Sequence, residues 1–149
     1  MLTSARQYWL MKSEPFKYSW QNLQRDGHTL WDGVRNYAAR NNLQAMQVGD
    51  EAFFYHSNEG KACVGVMRIS QTAHPDPTAT ADELTRNGEN PWVVVKVEPV
   101  RALSRPVTLA MIRAEPRLHA MVLLHSQRLS VQPVTAAEWQ VIIGLAEAA

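Results

Sequence analysis

The sequence predicts an α+β fold built around a mixed, mostly antiparallel, barrel-like sheet. Strand-like runs are interrupted by helical segments, without the regular strand–helix alternation that a parallel sheet requires. Two of these runs, "EAFFYHS" and "ACVGVMRIS", are joined by the turn-like "NEGK", as in an antiparallel hairpin. At 149 residues, one domain over residues 1–149, structured from about 8 to 147, is the simplest organisation.

The first half of the chain predicts one strand and two helices before the hairpin. The segment "YWLMK" is apolar on both alternating faces, which is typical of a strand buried on both sides. Next, "SWQNLQRDG" predicts a short helix that Ser19 caps and Gly27 ends. The segment "NYAARNNLQAMQVG" has apolar residues at helical spacing, with Asn36 or Asp32 as the cap and Gly49 as the stop.

In the second half of the chain, the sequence pattern predicts secondary structure weakly at first and clearly at the end. Residues 71–91 are rich in Pro, Thr, Asp and Asn, which predicts a long surface connection. A strand over "WVVVKVEPV" and a short helix over "VTLAMIRAEP" follow, the helix ending before Pro116. For "HAMVLLH" and "RLSVQPV", both ambiguous, we favour a short helix and then a strand. Thr135 and Glu138 form a capping-box pattern ahead of the final helix, "WQVIIGLAEAA".

Composition indicates an intracellular globular protein without a strong overall electrostatic field. The apolar fraction is 46%, and the formal net charge of +1 means that any basic surface must be local. The lone cysteine, Cys63, excludes an internal disulfide and favours a reducing compartment. The first residues, "MLTSARQ", lack the apolar segment of a signal peptide, and no apolar run is long enough to span a membrane. We therefore expect a cytoplasmic protein, or a nuclear one if the source is eukaryotic.

The familiar catalytic and metal-binding signatures are missing from the sequence. It contains no GxGxxG, no P-loop and no G-x-S-x-G elbow. The five histidines lack HExxH spacing, and one cysteine is too few for a thiolate zinc site. We therefore expect no catalytic residues, no metal and no cofactor.

The stretch "LWDGVRNYAARN" is the first candidate site. Trp31 comes directly before the turn-like Asp32-Gly33 and close to a predicted helix start. The free N–H groups and the positive dipole end of a helix start favour phosphate or a carbonyl-rich ligand, and Arg35 and Asn36 add donors. The same residues also fit a buried tryptophan, a helix cap and solvated arginines.

The end of "FFYHS" is the second candidate site. Alternation places Phe54 and His56 on one face, and Phe53, Tyr55 and Ser57 on the other. The strand in "YWLMKSEP" ends in polar residues in the same way, and two such ends beside a tryptophan would form a small pocket with an aromatic wall. A buried histidine whose ring bonds to the backbone explains the pattern equally well.

Five motifs, in this order along the chain, together resemble the EVE domain family: "YWLMKSEP", "WDGVRNYAARN", "VGDEAFFYHS", "GVM" and "RLSVQPVT…E". The resemblance runs from about Tyr8 to the C-terminal helix. The family belongs to the PUA-like superfamily, a pseudo-barrel of strands with peripheral helices, and is similar to the YTH domains. The resemblance implies a nucleic-acid-binding module that recognises a modified base, either modified cytosine in DNA or a modified RNA base.

The resemblance also implies roles for particular residues, since an extruded base needs a flat surface to stack on and groups that read its edge. Trp31 would be the stacking wall, worth about 1–3 kcal/mol. The other expected ligand contacts are Ser13, Asn36 and Ser57 to the base edge or sugar, the backbone of Gly33 and Val34, Lys12 and Arg35 to phosphate or polar ring atoms, and Tyr55 and His56 at the rim.

Three departures from the family and its relatives bear on specificity and affinity. Many members carry Gln where this chain has Ala38, so the preferred base can differ. Trp92 is a candidate for the second cage aromatic that YTH pockets use, and it fits a core residue at a strand end equally well. The connection at 71–91 lacks a basic run, so we expect modest and salt-dependent affinity.

An enzyme is the alternative function. ASCH domains, which are PUA-like relatives, act on RNA or amides through Lys, Tyr or Glu in a similar cleft, so a hydrolase acting on a nucleoside or RNA is the specific alternative. Lys12 and Glu14 are two apart on an extended segment and point the same way, as a base and its orienting partner would. A surface ion pair explains them too. A protein-interaction adaptor would need an exposed apolar patch. The sequence does not fix the oligomeric state, and a monomer is the simplest expectation.

Overall fold

The computed structural model describes residues 6–148 of the chain. Residues 1–5, on which the prediction about a signal peptide partly rests, lie outside them. The strands are β1 Tyr8–Ser13, β2 Thr29–Leu30, β3 Glu51–His56, β4 Ala62–Pro75, β5 Val93–Thr108 and β6 Val131–Val134. The α-helices are α1 Trp20–Asp26, α2 Tyr37–Ala45, α3 Leu109–Ala114, α4 Val122–His125 and α5 Ala136–Glu147. None of the helices in this part of the chain is long and apolar enough to cross a membrane.

The strands form one open sheet in the order β2-β5-β4-β3-β1-β6. Only β1 and β3 pair in parallel, and the other neighbours are antiparallel, which confirms the predicted α+β class. The long strands β4 and β5 pair with several register shifts, as bulged strands do. Because β1 and β3 are parallel and in contact, their carboxyl ends meet at one edge of the sheet.

Helices cover both faces of this sheet. Trp9, Met11 and Phe54 point to the face on which α1 and α2 pack, whereas Leu10 and Phe53 point to the face covered by α3, α4 and α5. The predicted alternation of β1 and β3 is confirmed, and both strands are buried on two sides. The site at their ends therefore stands on rigid, fully packed strands.

Local capping signals set the helix ends as predicted in most cases. The Ser19 side chain accepts a hydrogen bond from the Asn22 N–H at 3.1 Å, and Gly27 ends α1 at a φ of 78°. Asn36, rather than Asp32, caps α2 by accepting a hydrogen bond from the Ala39 N–H at 2.9 Å. The predicted capping box of α5 is also present, with Thr135 and Glu138 bonded reciprocally at 3.1 and 3.0 Å. In contrast, α2 ends at Ala45, well before the predicted stop at Gly49.

The connection predicted over 71–91 is shorter and less exposed than its composition indicates. Strand β4 runs on to Pro75, and a short 3-10 helix forms over Ala81–Glu83. Asp76 is only 1% exposed, because its carboxylate is a hydrogen-bonding centre for the loop and for the segment after Trp31. Strand β5 is longer than predicted and continues to Thr108.

Candidate functional site

A cavity of about 760 Å³ opens where β1 and β3 end, and we call it the main cavity. Parallel pairing brings the two ends together, since the Ser57 N–H donates to the Ser13 carbonyl oxygen at 3.0 Å. Of the predicted site residues, Lys12, Ser13, Trp31, Gly33 and Ser57 line this cavity. The remaining lining comes from Glu14, Lys17, Tyr18, Thr29, Leu30, Asp32, Asn58, Gln127, Arg128 and Ser130.

Trp31 forms a fixed part of the cavity wall. Its backbone N–H donates to the Val95 carbonyl at 2.8 Å, and its side chain is 7% exposed. The indole meets Phe54 edge-on, with ring centroids 5.4 Å apart, and Phe54 in turn meets Trp20 edge-on at 5.7 Å. This aromatic row holds the indole from the core side, so little ordering cost remains for a planar ligand that stacks on it.

A tight turn after β1 shapes the floor of the main cavity. The Glu14 carbonyl accepts hydrogen bonds from the N–H groups of Lys17 and Tyr18, at 2.9 and 3.0 Å. The Ser13 hydroxyl donates to the Tyr18 carbonyl at 2.6 Å, so towards a ligand this hydroxyl offers only its acceptor side. The turn also places Tyr18 in the lining, which gives the cavity a second aromatic residue.

Lys12 is a half-buried cation at the boundary of two cavities. Its Nζ donates to the Gln127 carbonyl at 2.7 Å, and burial lowers its pKa. Glu14 does not pair with Lys12 in the described structure; it faces Lys17 at 3.5 Å and accepts a hydrogen bond from Asn58 Nδ2 at 2.9 Å. The Lys–Glu couple on which the enzyme interpretation rests is therefore not assembled in this structure.

Arg35 lies outside the main cavity and is bonded to the loop after β4. Its guanidinium contacts the carboxylates of Asp76 and Glu83, each at 2.9 Å, and lies over the ring of Trp92. The Gly33 N–H also donates to Asp76, at 3.0 Å. Burial alone would raise the pKa of Asp76, but the hydrogen bonds from Thr78, Arg35 and Gly33 outweigh it and lower that pKa. The amide of Gly33 is therefore not available to a ligand unless this bond breaks, and the guanidinium of Arg35 is engaged mainly by the loop.

Asn36, Val34 and Ala38 are also placed away from the main cavity. The Asn36 side chain caps α2, and Val34 is buried in the core. Asn36 and Ala38 line a neighbouring, open depression of about 420 Å³, which shares Gln127 and Arg128 with the main cavity. A glutamine at position 38 would therefore lie in this depression, on the side of the main cavity that Gln127 and Arg128 form.

The polar end of β3 divides between the core and a second, smaller cavity. His56 Nε2 accepts a hydrogen bond from the Trp20 N–H at 3.1 Å, and burial lowers the pKa of the ring, so the imidazole is neutral and internally bonded. Tyr55 is buried and lines the second cavity, of about 220 Å³, and burial raises its pKa to about 12. Ser57 lines both cavities.

Trp92 is an anchor of the loop after β4 and not part of the main cavity. It is 7% exposed, packs against Tyr37 with centroids 4.8 Å apart, and donates from Nε1 to the Glu83 carbonyl at 2.9 Å. The second aromatic residue of the cavity is instead Tyr18, whose hydroxyl donates to Asp26 Oδ2 at 2.8 Å.

Several lining residues were missed from the sequence. The segment of Gln127, Arg128 and Ser130 reaches the cavity because β6 pairs with β1, and the Lys12 N–H donates to the Ser130 carbonyl at 2.8 Å. Asp32, considered only as a turn residue and a cap, also lines the cavity. Burial and the nearby charge of Asp76 raise the pKa of Asp32. The lining of the main cavity thus contains the cations Lys12, Lys17 and Arg128 and the carboxylates Glu14 and Asp32.

Comparison with known proteins finds one matching family model and several similar proteins. A model of the EVE domain matches residues 7–145. Human thymocyte nuclear protein 1 is 38% identical over 172 aligned residues, which cover 98% of this chain and 76% of that protein. A crystal structure of a protein from Agrobacterium tumefaciens is 44% identical, covers 95% of this chain and 93% of its own, and superposes with a TM-score of 0.87.

Two further solved structures contain a nucleic acid with a methylated base. Human THYN1 protein, in complex with DNA that contains 5-methylcytosine, is 36% identical, with a TM-score of 0.85 and coverage of 96% of this chain and 99% of that one. The YTH domain of the Zygosaccharomyces rouxii MRB1 protein, in complex with N6-methyladenosine RNA, covers 99% of this chain and 91% of its own at 14% identity and a TM-score of 0.61. At that identity the second comparison shows a shared fold.

Proposed function

The chain belongs to the EVE domain family, and on that premise we propose that it is a nucleic-acid-binding module that takes one modified base into the main cavity. The observation that carries the proposal is the convergence of Trp31 with the polar ends of β1 and β3 on one cavity of about 760 Å³. The complex of the human relative with 5-methylcytosine DNA supports a modified cytosine as the base.

The lining suits an extruded base. Trp31 and Tyr18 supply aromatic surface, and stacking of a base on such a side chain contributes about 1–3 kcal/mol. Ser13 accepts, and Ser57 accepts or donates, at the base edge or the sugar. The carboxylate of Asp32 accepts from an exocyclic amino group, as carboxylates do from N4 of cytosine.

We propose binding without turnover. The charged groups of the enzyme alternative are engaged elsewhere, Lys12 with the Gln127 carbonyl and Glu14 with Lys17 and Asn58. The lowered pKa of Lys12 is the one feature that favours a reactive amine. Incubation with modified oligonucleotides and acylated nucleosides tests this: we expect unchanged ligand, and turnover that is lost in Lys12→Ala would establish the hydrolase instead.

The proposal covers a modified cytosine in DNA and a modified base in RNA, and a titration separates them. The test compares oligonucleotides with cytosine, 5-methylcytosine, 5-hydroxymethylcytosine, adenine or N6-methyladenine at one stated salt concentration, in DNA and in RNA. We propose that a protein with such a ligand acts in the cytoplasm or, in a eukaryote, in the nucleus; the human relative carries "nuclear" in its name. Equal weak binding to every oligonucleotide would refute the proposal.

Two tryptophan variants locate the binding site. Trp31→Leu should weaken binding of the preferred oligonucleotide about 5- to 150-fold, which corresponds to the loss of about 1–3 kcal/mol of stacking. Trp139→Leu is the matched control, because Trp139 is an equally buried indole in the core on the other face of the sheet. Equal losses in the two variants would show that the effect comes from stability and not from the cavity.

A further inference from the structure

We infer that the second cavity is a phosphate site that holds the nucleic-acid backbone next to the bound base; this inference rests on the proposed function. The cavity, of about 220 Å³, is contiguous with the main cavity, because both are lined by Lys12, Ser57, Asn58 and Gln127. A nucleotide whose base lies in one cavity therefore has its sugar at this shared boundary and a phosphate at the other.

The charges that line the second cavity are all positive. Lys12, Lys61 and Arg113 lie in its lining, and no carboxylate does. Among the described residues, none of these three cations takes part in an ion pair, whereas Arg35, Arg68 and Arg117 each do. Like charges gathered in one small cavity repel each other, and a bound anion relieves that repulsion.

The backbone fixes the positions of two of these cations relative to each other. Lys61 has a φ of 36°, in the left-handed region that residues other than glycine rarely adopt. Its carbonyl accepts a hydrogen bond from the Leu109 N–H at 2.8 Å, at the start of the helix that carries Arg113. Strained residues held by their surroundings in this way cluster at ligand clamps. This hydrogen bond joins the hairpin turn that carries Lys61 to the start of the helix that carries Arg113.

The ligand that fits this site is a phosphodiester. Arginine and lysine are the usual phosphate partners, and the guanidinium of Arg113 can contact two phosphate oxygens at once. Phosphate contacts position a nucleic acid and carry no base information. The second cavity should therefore contribute to affinity and to its salt dependence, and leave the preference for the modified base unchanged.

The test measures how the affinity for a single-stranded oligonucleotide with one 5-methylcytosine depends on salt. The double variant Lys61→Gln/Arg113→Gln should reduce the magnitude of the slope of log K against log salt by about 0.7, since the site holds one phosphate and each phosphate contact on a single strand contributes about 0.7. The matched control is Arg86→Gln/Arg101→Gln, which removes the same charge from two exposed residues that line neither cavity. Its slope should stay at the wild-type value.

The outcomes separate this inference from the proposed function. An unchanged slope in the Lys61/Arg113 variant, an equal change in the control, or loss of the modified-base preference in that variant alone would each overturn the phosphate site. Wild-type binding without any base preference would overturn the proposed function, while the slopes still decide the phosphate site. Absence of wild-type binding at every salt concentration overturns both. Circular dichroism verifies folding, and each single variant, with an expected change in the same direction of at most about 0.7, replaces the double variant if that one unfolds.

Discussion

Replacing Gly65 by alanine should destabilise the protein, because the indole of Trp20 lies against this glycine. A Cβ built at Gly65 would come within 2.5 Å of two Trp20 ring atoms and within 2.6 Å of a third, closer than real contacts allow. Trp20 is buried and held by its edge-on contact with Phe54, so the ring has little room to withdraw. Either the ring or strand β4 must shift.

The expected cost is that of an overpacked core, about 1–3 kcal/mol. For a chain of this length, 1 kcal/mol lowers Tm by about 3–4 °C, so Tm should fall by about 3–12 °C. Phe54 also contacts Trp31, with ring centroids 5.4 Å apart, so a displaced Trp20 disturbs the wall of the main cavity as well. Affinity for a modified oligonucleotide should therefore fall together with stability.

Urea denaturation of three variants tests this reasoning. Gly144→Ala is the matched control, because a Cβ at this glycine of α5 meets nothing within 4 Å. It should stabilise the protein by about 0.5–1 kcal/mol through the better helix propensity of alanine. Adding Trp20→Phe to Gly65→Ala should recover part of the loss, since a smaller ring leaves room for the methyl group. A free energy of unfolding of Gly65→Ala equal to that of the wild type would refute the account.

Three further variants test the loop, the cavity and the last helix. Asp76→Ala should cost about 1–3 kcal/mol, because it leaves the N–H groups of Gly33 and Thr78 without their acceptor, while Arg35 keeps its ion pair with Glu83. Since the pKa of Asp76 is lowered in the folded state, the stability that its charge contributes is present above the unfolded pKa of about 3.9 and is lost as pH falls through the folded pKa. In urea denaturation across that range, the free energy of unfolding should depend less on pH in the variant than in the wild type. Parallel pH profiles of the two proteins would contradict this. Asp32→Asn should weaken binding of a cytosine-type base. The wild type should also lose affinity as pH falls, beginning above the usual carboxyl pKa of about 3.9 because the pKa of Asp32 is raised, and the variant should not show this loss. Titrations at several pH values measure the affinity, and an identical pH profile in the variant would rule out this role. Thr135→Ala removes the cap on Glu138 and should cost about 1 kcal/mol in thermal unfolding, while no change in Tm would show that the cap is redundant.

The features that sequence predicted correctly are those with local causes. Alternation along β1 and β3 follows from the geometry of a strand, so the faces of Phe53 and Phe54 could be assigned without knowing their neighbours. The caps at Ser19, Asn36 and Thr135 depend on a side chain and an N–H three residues away.

The features that sequence missed depend on contacts between distant segments. Asp76 lies in a stretch rich in Pro, Thr and Asp that predicts exposure, and it is buried only because Gly33 and Arg35, more than forty positions away, bond to it. These bonds also place Arg35, expected at a phosphate, outside the main cavity. Arg128 reaches the cavity through the pairing of β6 with β1, which no local pattern specifies.

The most direct test of the central claim is a crystal structure of this chain with an oligonucleotide that contains one 5-methylcytosine. The account predicts that the base lies in the main cavity, stacked on Trp31, with its exocyclic amino group about 2.7–3.2 Å from a carboxylate oxygen of Asp32. An adjacent phosphate should lie between Lys61 and Arg113. A base that remains stacked in the nucleic acid, or that is bound on another surface while the main cavity stays empty, would contradict the account.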